Sequence, residues 1–495
     1  MVRNRSRACL AGVLATLCLA LVGCSSATAA PVRGFSLHPN WWQLPPTGAT
    51  DAELTHEVQA AHSIGANVVR VPLPWNQLEP SAAGQWNNTL AARVDGIMNT
   101  LAANQMKAVV MVINTPCWAS ADPQVCVPFN PVYSLASAAD PADFGGAVGR
   151  IVDRWGAQMA AVEVWNEPNN PGFFHGTAAD YAAMIRAAAT ALDTRSWNGQ
   201  LLAGALGMNA TPSGLDWLKQ LYAAGMTGED AISIHPYDIY YDTSGVHFGD
   251  PLRPDSLFAQ HIDGVRALMR AHGDASMGIW VTEFGADVCP ATPICVSESD
   301  QSNWLVGMFA AAERRPFIRG ALSYSLRDPQ AGSADMNYHF GVLRNDFSER
   351  PSAVALRSAF TSPPAATSAA PRTLTVTKAG AGTVTGIPGA IINCGSRCSA
   401  TVDDGSEFTL TEAPGTGYRF TSWSGCSPVS ANSCVVRIAG NKTVKATFAS
   451  TTPKLPPPPP PAGSTTAPST QPPSTTAPST KKKKKKKKKK RHHRH

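Results

Sequence analysis

The strongest constraint on the fold is an alternation of short apolar runs with Ala-rich stretches between residues 31 and 360. Runs almost continuous in Val, Ile, Leu and Ala predict strands buried on both faces of a parallel sheet. Eight such runs, separated by helical stretches, predict an α/β fold of the closed (β/α)8, or TIM, barrel type. The candidate strands are Gly34–His38, Asn67–Leu73, Lys107–Ile113, Ala161–Trp165, Leu201–Leu206, Ala231–His235, Gly278–Thr282 and Gly320–Ser325.

An open, doubly wound sheet is the alternative arrangement of the same units. Such sheets bind nucleotides through a Gly-rich turn after the first strand. No turn of that kind follows Gly34–His38, so we favour the barrel and expect no cofactor.

Two of the predicted strands lead directly into a glutamate. The fourth continues into Trp-Asn-Glu-Pro, which contains Glu167, and the seventh into Thr-Glu-Phe-Gly, which contains Glu283. Active sites of (β/α)8 barrels form at the C-terminal ends of the strands. Cleavage of a glycosidic bond requires two carboxyl groups that flank the sugar carbon. The pair therefore predicts a glycosidase.

These two motifs resemble those of the clan A glycoside hydrolases, over residues 34 to about 358, and the families numbered 5 and 39 fit equally well. The resemblance implies a retaining mechanism in which Glu167 is the acid/base and Glu283 the nucleophile. It also implies that Asn166 hydrogen-bonds the 2-hydroxyl of the reacting sugar. Glu167 must begin the cycle protonated, so we expect the site to raise its pKa, whereas Glu283 must stay ionised.

The resemblance extends to groups that would keep Glu283 ionised. Arg70, on the second strand, matches the arginine beside the nucleophile in the clan. Tyr237, after the sixth strand, matches a tyrosine that often contacts it. Glu163 lies inside the fourth strand, where we expect it to form a structural ion pair.

Further substrate-binding candidates are histidines and aromatic residues at or just beyond predicted strand ends, where flat rings can stack on sugars. Each has an alternative interpretation as a packing residue. Clan A enzymes commonly carry a tryptophan on the eighth strand, where this chain has a tyrosine. The candidates are His38, His235, Trp75, Trp118 and Tyr324, with Trp41, Trp42 and Trp165 less specific.

Residues 361–371 form a Pro/Ser/Ala linker, and residues 372–449 are rich in Thr, Val and Gly with alternating polarity. This pattern predicts a small all-β module. Its segments LTVTKAGAGTVT at 374–385 and FTSWSGC at 420–426 resemble the divergent internalin-type B-repeat of bacterial surface proteins. That resemblance implies a fold but no particular ligand.

Eight cysteines outside the N-terminal segment fall into close pairs, which favours disulfides in an exported chain. The four in the module could instead pair across the module or bind zinc through four thiolates; no other metal site is expected. The pairs are Cys117/Cys126, Cys289/Cys295, Cys394/Cys398 and Cys426/Cys434.

The first 30 residues read as an export signal, with arginines preceding an apolar core. Leu21-Val-Gly-Cys24 resembles a bacterial lipobox that would make Cys24 a lipidated residue, and ordinary cleavage after Ala29 is the alternative. We therefore expect an exported protein, secreted or associated with the cell envelope.

Residues 450–480 are Pro/Ser/Thr-rich and of low complexity, and residues 481–495 carry ten lysines and two arginines. Like charges at this density predict disorder. The tail carries more positive charge than the whole chain's net +7, so the folded part is mildly acidic. We expect the tail to bind an anionic envelope polymer or lipid surface, without specific recognition of nucleic acid.

Together these features predict a monomeric retaining glycosidase that acts on a carbohydrate with β-linkages. The alternatives are a non-catalytic adhesin that uses the barrel to bind carbohydrate, and a transglycosylase that remodels envelope glycans with the same two glutamates.

Overall fold

A computed structural model describes residues 32–451, except for the short gaps 39, 44–47, 123–134, 243–244, 249–250, 252–255, 289–295, 334, 362–370, 388–391, 405, 429 and 431. The predicted export signal with Cys24, most of the linker, and the tail lie outside the described residues. Cys126, Cys289 and Cys295 also lie outside them. Cys117 is disulfide-bonded, and its partner is not among the described residues.

The predicted (β/α)8 barrel is confirmed. Eight parallel strands close in the order β1-β10-β9-β6-β5-β4-β3-β2, so β9 and β10 are the seventh and eighth barrel strands. The intervening pair β7 and β8 is an antiparallel hairpin in the loop after β6. The strands are β1 Val32–Ser36, β2 Val68–Pro74, β3 Lys107–Ile113, β4 Met159–Val164, β5 Gln200–Gly207, β6 Ala231–His235, β7 Ile239–Asp242, β8 Gly245–Phe248, β9 Gly278–Val281 and β10 Ile318–Ser323.

Helices cover the outside of the barrel, and several begin at residues that cap them. Thr50 and Glu53 form a reciprocal capping box at the start of α1, and Thr177 and Asp180 do the same for α5. Each box satisfies backbone N–H groups that the first turn leaves without partners. The helices are α1 Asp51–Ile64, α2 Trp75–Leu78, α3 Asn88–Ala103, α4 Pro141–Trp155, α5 Ala178–Asp193, α6 Gly214–Ala223, α7 Leu257–Ala271, α8 Glu298–Glu313 and α9 Pro351–Thr361.

The barrel interior is apolar at its N-terminal end and polar above it. The apolar cluster combines one residue from each of seven strands, with Val32 packed against it: Val68, Val109, Ala161, Leu202, Ala231, Trp280 and Leu322. Strand side chains alternate between faces, so the residues two positions further on also point inward, nearer the C-terminal end. Arg70 and Glu163 occupy this second level, where they form a buried ion pair.

His38 was predicted to bind substrate, but it does not line the cavity at the barrel mouth. It is buried, and its Nδ1 lies 3.0 Å from a carboxylate oxygen of Glu57 on α1. Arg327 donates from its Nε to the same carboxylate at 2.6 Å. Burial alone would raise the pKa of Glu57, but His38 and Arg327 outweigh it and lower the pKa. His38 is therefore part of a buried charge cluster that ties α1 to the segment after β10.

We expect Glu57→Gln to destabilise the fold by about 3–5 kcal/mol, because breaking one partner leaves a buried charge uncompensated. Since the folded-state pKa of Glu57 is lowered, its contribution is present above the unfolded-state pKa and disappears as pH falls through the folded-state value. The measurement is denaturant unfolding from pH 3 to 7. Asp216→Asn, which breaks an exposed pair with Lys219, should cost less than about 1 kcal/mol. Equally small losses of unfolding free energy in the two variants would contradict the assigned role of Glu57.

The C-terminal module is all-β, as predicted, with two four-stranded sheets of order β13-β11-β18-β15 and β12-β14-β17-β16. Its core combines Leu374, Phe408, Leu410, Val444 and Phe448 with other apolar residues. The strands are β11 Pro371–Ala379, β12 Gly382–Ile387, β13 Ser399–Asp403, β14 Glu407–Pro414, β15 Tyr418–Ser424, β16 Ser427–Pro428, β17 Ser433–Arg437 and β18 Lys442–Ser450.

The module's four cysteines form two local disulfides, Cys394–Cys398 and Cys426–Cys434. A four-thiolate zinc site and pairing across the module are therefore both wrong. Disulfides of this kind are typical of proteins that mature in an oxidising compartment. Among the described residues, no helix combines the length and apolar character needed to cross a membrane.

Candidate active site

A cavity of about 1030 Å³ opens at the C-terminal end of the barrel, among the loops that follow the strands. This is the end at which (β/α)8 enzymes bind their substrates. Seven of the residues predicted for the site line it: Arg70, Asn166, Glu167, His235, Tyr237, Glu283 and Tyr324.

Glu283, just beyond β9, is held by two donors. Arg70 donates from Nη1 to its Oε1, and the Tyr237 hydroxyl donates to its Oε2 at 3.1 Å. Burial raises the pKa of Tyr237 well above its usual range, with a further contribution from the charge of Glu283, so its proton stays on the phenol. Glu283 is thus a partly exposed carboxyl group that accepts one hydrogen bond on each oxygen.

Arg70 links this carboxylate to the level below. Its Nε donates to Glu163 Oε2 at 2.7 Å, and its Nη2 donates to Asn166 Oδ1 at 3.2 Å. The predicted structural role of Glu163 is confirmed by this buried ion pair. Burial alone would lower the pKa of Arg70, but Glu163 and Glu283 raise it, so Arg70 is a permanent cation beneath the cavity.

Glu167 lies in the loop after β4, where the backbone takes an uncommon path. Trp165 and Glu167 have φ values of 66° and 40°, in the left-handed region that non-glycine residues rarely adopt. The Glu167 amide donates to Ala205 O at 3.0 Å, and the Trp165 indole donates to Phe173 O at 2.7 Å. Such backbone strain persists where surrounding contacts enforce it and is common at functional sites.

His235, at the end of β6, lies between the two carboxylates. Its Nδ1 is 3.0 Å from Glu167 Oε1 and 3.5 Å from Glu283 Oε2. One oxygen of each carboxylate and a ring nitrogen of His235 all lie within 4.8 Å of one another. The two carboxyl groups are therefore close neighbours that face a shared space.

The same three side chains offer the donor set of a metal ion. However, Glu283 already accepts from Arg70 and Tyr237, and Glu167 already has His235 and Asn170 as partners. Protein side chains therefore already contact both carboxylates, and the expectation that the site uses no metal remains a prediction.

The expectation that the site raises the pKa of Glu167 is wrong for this structure. Burial does raise the pKa, but the hydrogen bond and charge of His235 outweigh burial, and Asn170 and Arg70 add to their effect. The net pKa of Glu167 is lowered. His235 is 68 residues away in the chain, and the motif around Glu167 gives no sign of this contact.

The tryptophans predicted to stack on sugar are mostly packing residues. Trp75 is completely buried, donates to Glu79 Oε2 at 2.9 Å, and meets Trp118 edge-on. Trp118 donates to Glu79 O at 2.8 Å and does not line the cavity. Trp41 and Trp165 are also completely buried. The substrate-binding assignments of Trp75 and Trp118 are therefore corrected, because neither ring faces the cavity.

Two aromatic candidates do line the cavity, Trp42 and Tyr324. Tyr324 follows β10, at the strand where the clan carries a tryptophan, and its ring meets Phe340 edge-on at 5.5 Å. Burial raises the pKa of Tyr324, with a further contribution from the charge of Glu283, and its hydroxyl donates to Asn337 O at 3.4 Å.

Sequence reasoning missed several lining residues on the loops, because no strand-end motif marks them. They are Asn40, Asn170, Phe173, Asn209, Asp287, Asp335, Asn337, Tyr338 and Phe340. Of these, Asn170 contacts Glu167 directly, with Nδ2 3.3 Å from Oε2. Its place three residues after Glu167, in the run Asn-Glu-Pro-Asn-Asn, is the one signal that could have identified it.

Comparison with known proteins identifies the families of the barrel and of the module. The family model described as "Cellulase (glycosyl hydrolase family 5)" matches residues 25–315, more than half of the chain. A second model, described as "Divergent InlB B-repeat domain", matches residues 372–452, which confirms the resemblance of the module. A search of curated proteins found no significant match.

Solved structures with the same fold include three glycoside hydrolases. A family 39 enzyme from the gut symbiont Bacteroides cellulosilyticus WH2 is 18% identical, with 82% of this chain and 79% of that chain aligned and a TM-score of 0.51. A GH5_18 protein from Streptomyces cattleya, solved with GlcNAc, is 17% identical over 71% and 85% of the two chains, with a TM-score of 0.50. A GH5_18 protein from Bifidobacterium longum subsp. longum is 15% identical over 70% and 83%, with a TM-score of 0.51. At these low sequence identities, the similarity to the three structures shows a shared fold and nothing more.

Proposed function

Because this chain belongs to glycosyl hydrolase family 5 and is a glycosidase, we propose that it hydrolyses β-linked oligo- or polysaccharides with retention of configuration. In this proposal Glu283 is the nucleophile and Glu167 is the general acid/base. The family match also decides between families 5 and 39, which the motifs alone did not separate.

The observation that carries the proposal is the proximity of the two carboxylates, with one oxygen of each within 4.8 Å of the other. Retaining glycosidases hold their carboxyl groups about 5–5.5 Å apart, whereas inverting enzymes need about 6.5–9.5 Å to fit a water molecule. A close pair leaves no room for that water on the opposite face of the sugar. The geometry therefore supports double displacement.

In the first step, a Glu283 oxygen attacks C1 of the sugar and the bond from C1 to the leaving oxygen breaks. The proton of Glu167 passes to that oxygen, so that the leaving group departs as a neutral alcohol and Glu167 becomes a carboxylate. In the second step, Glu167 takes a proton from water while the water oxygen attacks C1. The ester bond to Glu283 breaks, and both carboxyl groups return to their starting states.

The surrounding groups suit these roles. Arg70 and Tyr237 each donate to one oxygen of Glu283, and they can stabilise its negative charge when it leaves C1. Asn166, fixed by Arg70 Nη2, presents its amide to the cavity, where it is suited to bind the 2-hydroxyl of the reacting sugar. Tyr324 lines the same cavity as Glu283, so its ring is placed to contact the same sugar.

The lowered pKa of Glu167 predicts a glycosidase with an acidic optimum. The alkaline limb of kcat/KM reports loss of the acid proton in the free enzyme. His235→Leu removes the hydrogen bond and charge that favour the carboxylate, so the pKa of Glu167 should rise and the alkaline limb should move to higher pH. His175→Leu, at an exposed histidine that does not line the cavity, is the matched control.

The measurement is the pH profile of kcat/KM for the wild type and both variants. If the limb stays in place in His235→Leu while activity falls, then His235 does not set the protonation of Glu167.

The proposed function is tested with tetrasaccharides of β-linked glucose, mannose and xylose, and with the corresponding β-glycosyl fluorides. We expect turnover of at least one series, and ¹H NMR of the first product should show the β-anomer before mutarotation. Initial release of the α-anomer would contradict retention. No turnover, with binding alone, would favour the carbohydrate-binding adhesin.

Two further proposals rest on the sequence. We propose that the chain is exported, which the two module disulfides and the surface-protein character of the B-repeat support. We also propose that the lysine-rich tail holds the enzyme at an anionic envelope polymer or lipid surface by charge alone, with binding that weakens as salt increases.

A further inference from the structure

Phe173 exposes an aromatic ring at the cavity. Among the described residues, two large apolar side chains count as exposed, Phe173 at 39% and Val354 at 50%. Val354 lies on α9 and does not line the cavity, whereas Phe173 does. An exposed aromatic ring in a carbohydrate-binding cavity offers a flat apolar surface to the apolar face of a sugar.

The backbone around Phe173 is fixed by contacts on both sides. Its amide donates to Asn170 O at 2.9 Å, and its carbonyl accepts from the buried Trp165 indole at 2.7 Å. The next residue, Phe174, is buried and packs edge-on against Trp165 and Tyr181, at 5.1 and 5.9 Å between ring centroids. Phe174 therefore anchors the loop, while the ring of Phe173 remains at the surface of the cavity.

Phe173 belongs to the same short loop as Glu167. Asn170 connects the two, because its amide donates to Glu167 O at 2.8 Å, its side-chain Nδ2 lies 3.3 Å from Glu167 Oε2, and its carbonyl accepts from Phe173. Under the proposed function, Glu167 protonates the leaving oxygen, so this loop faces the leaving group. Glu283 and Tyr324 come from β9 and β10, elsewhere in the barrel.

We propose that Phe173 is the stacking platform for the leaving-group sugar, and hence that the natural substrate carries a sugar on that side of the scissile bond. This inference rests on the proposed function and deepens it by assigning a named residue to the leaving-group side of the cavity. Glycosides with a small, non-sugar leaving group would leave the platform uncovered. In the reverse direction, the same ring would hold an acceptor sugar during transglycosylation.

The test compares two substrates in the full chain: the tetrasaccharide that the wild type cleaves fastest among the β-glucose, β-mannose and β-xylose series, and the β-glycosyl fluoride of the same sugar. Fluoride is too small to reach the ring. We expect Phe173→Ala to lower kcat/KM for the tetrasaccharide about tenfold and to leave the fluoride within about twofold. Phe173→Tyr should restore tetrasaccharide cleavage, and Val354→Ala should change neither substrate.

An equal fall for both substrates would overturn the inference, because it would indicate a general effect on the loop. An unchanged tetrasaccharide rate would overturn it as well. A wild type that cleaves the fluorides but no tetrasaccharide would refute the inference and leave the glycosidase mechanism standing. Only a chain that turns over none of the probes would count against both.

Discussion

Glu283→Gln is expected to lower kcat on every substrate by roughly 10⁶-fold, the size of loss seen when the nucleophile of a catalytic unit is removed. The amide is nearly isosteric and can still bind Arg70 and Tyr237, but it cannot form the glycosyl ester. Glycosyl fluorides should be affected as strongly as oligosaccharides, because the missing step is attack on C1 and not protonation of the leaving group. The measurement is single-turnover and steady-state release of sugar.

The smaller variant Glu283→Ala gives a sharper outcome. It leaves space on the nucleophile side, where azide should enter and attack C1 directly, giving an α-glycosyl azide. Glu349→Gln, at an exposed glutamate paired with Arg357 that does not line the cavity, is the matched control and should keep full activity. Near-normal hydrolysis by Glu283→Gln would exclude Glu283 as nucleophile.

Glu167→Gln is expected to lower kcat/KM for oligosaccharides by about 10²–10⁴-fold, the usual contribution of general acid catalysis. Fluoride needs no proton to leave, so kcat/KM for a glycosyl fluoride should fall far less than kcat/KM for a tetrasaccharide. The ratio between the two substrates identifies the acid, since a merely misfolded variant would lose both equally.

Glu167→Ala should also respond to azide, but with the opposite product. Azide would attack the glycosyl ester on the face that water normally uses, giving the β-glycosyl azide. Formation of the α-azide would mean that the roles of Glu167 and Glu283 are reversed or shared. The same conclusion would follow if azide restored no activity and kcat/KM for the fluoride fell as far as kcat/KM for the tetrasaccharide. The stereochemistry of the two azide products thus assigns each glutamate independently.

The barrel could be predicted from sequence because its strands are buried on both faces and so read as almost unbroken apolar runs. Predicted strands 107–113 and 231–235 coincide with β3 and β6. Glu167 and Glu283 follow predicted strands in the sequence. Because all barrel strands run in the same direction, both residues must lie at the same end of the barrel. That Glu163 forms an ion pair was also predictable, because a charged residue inside a buried strand needs a partner, but the identity of that partner, Arg70, was not.

Side-chain direction beyond the strand ends was not predictable, because it depends on partners distant in the chain. Trp75 begins a short helix and turns its indole to Glu79 instead of the cavity. His38 contacts Glu57, which also accepts a hydrogen bond from Arg327, 270 residues further along the chain. The lowered pKa of Glu167 has the same origin, since it depends on His235 from a different strand.

The central claim is that Glu283 forms a covalent bond with the sugar. It is tested most directly by incubating the wild type with an activated 2-deoxy-2-fluoro β-glycoside of its preferred sugar, which slows the second step more than the first, followed by mass spectrometry of the digested protein. We predict a stable mass increase of one fluorosugar on the peptide that contains Glu283, and none in Glu283→Gln. An adduct on another residue, or rapid turnover with inversion and no adduct, would contradict the claim.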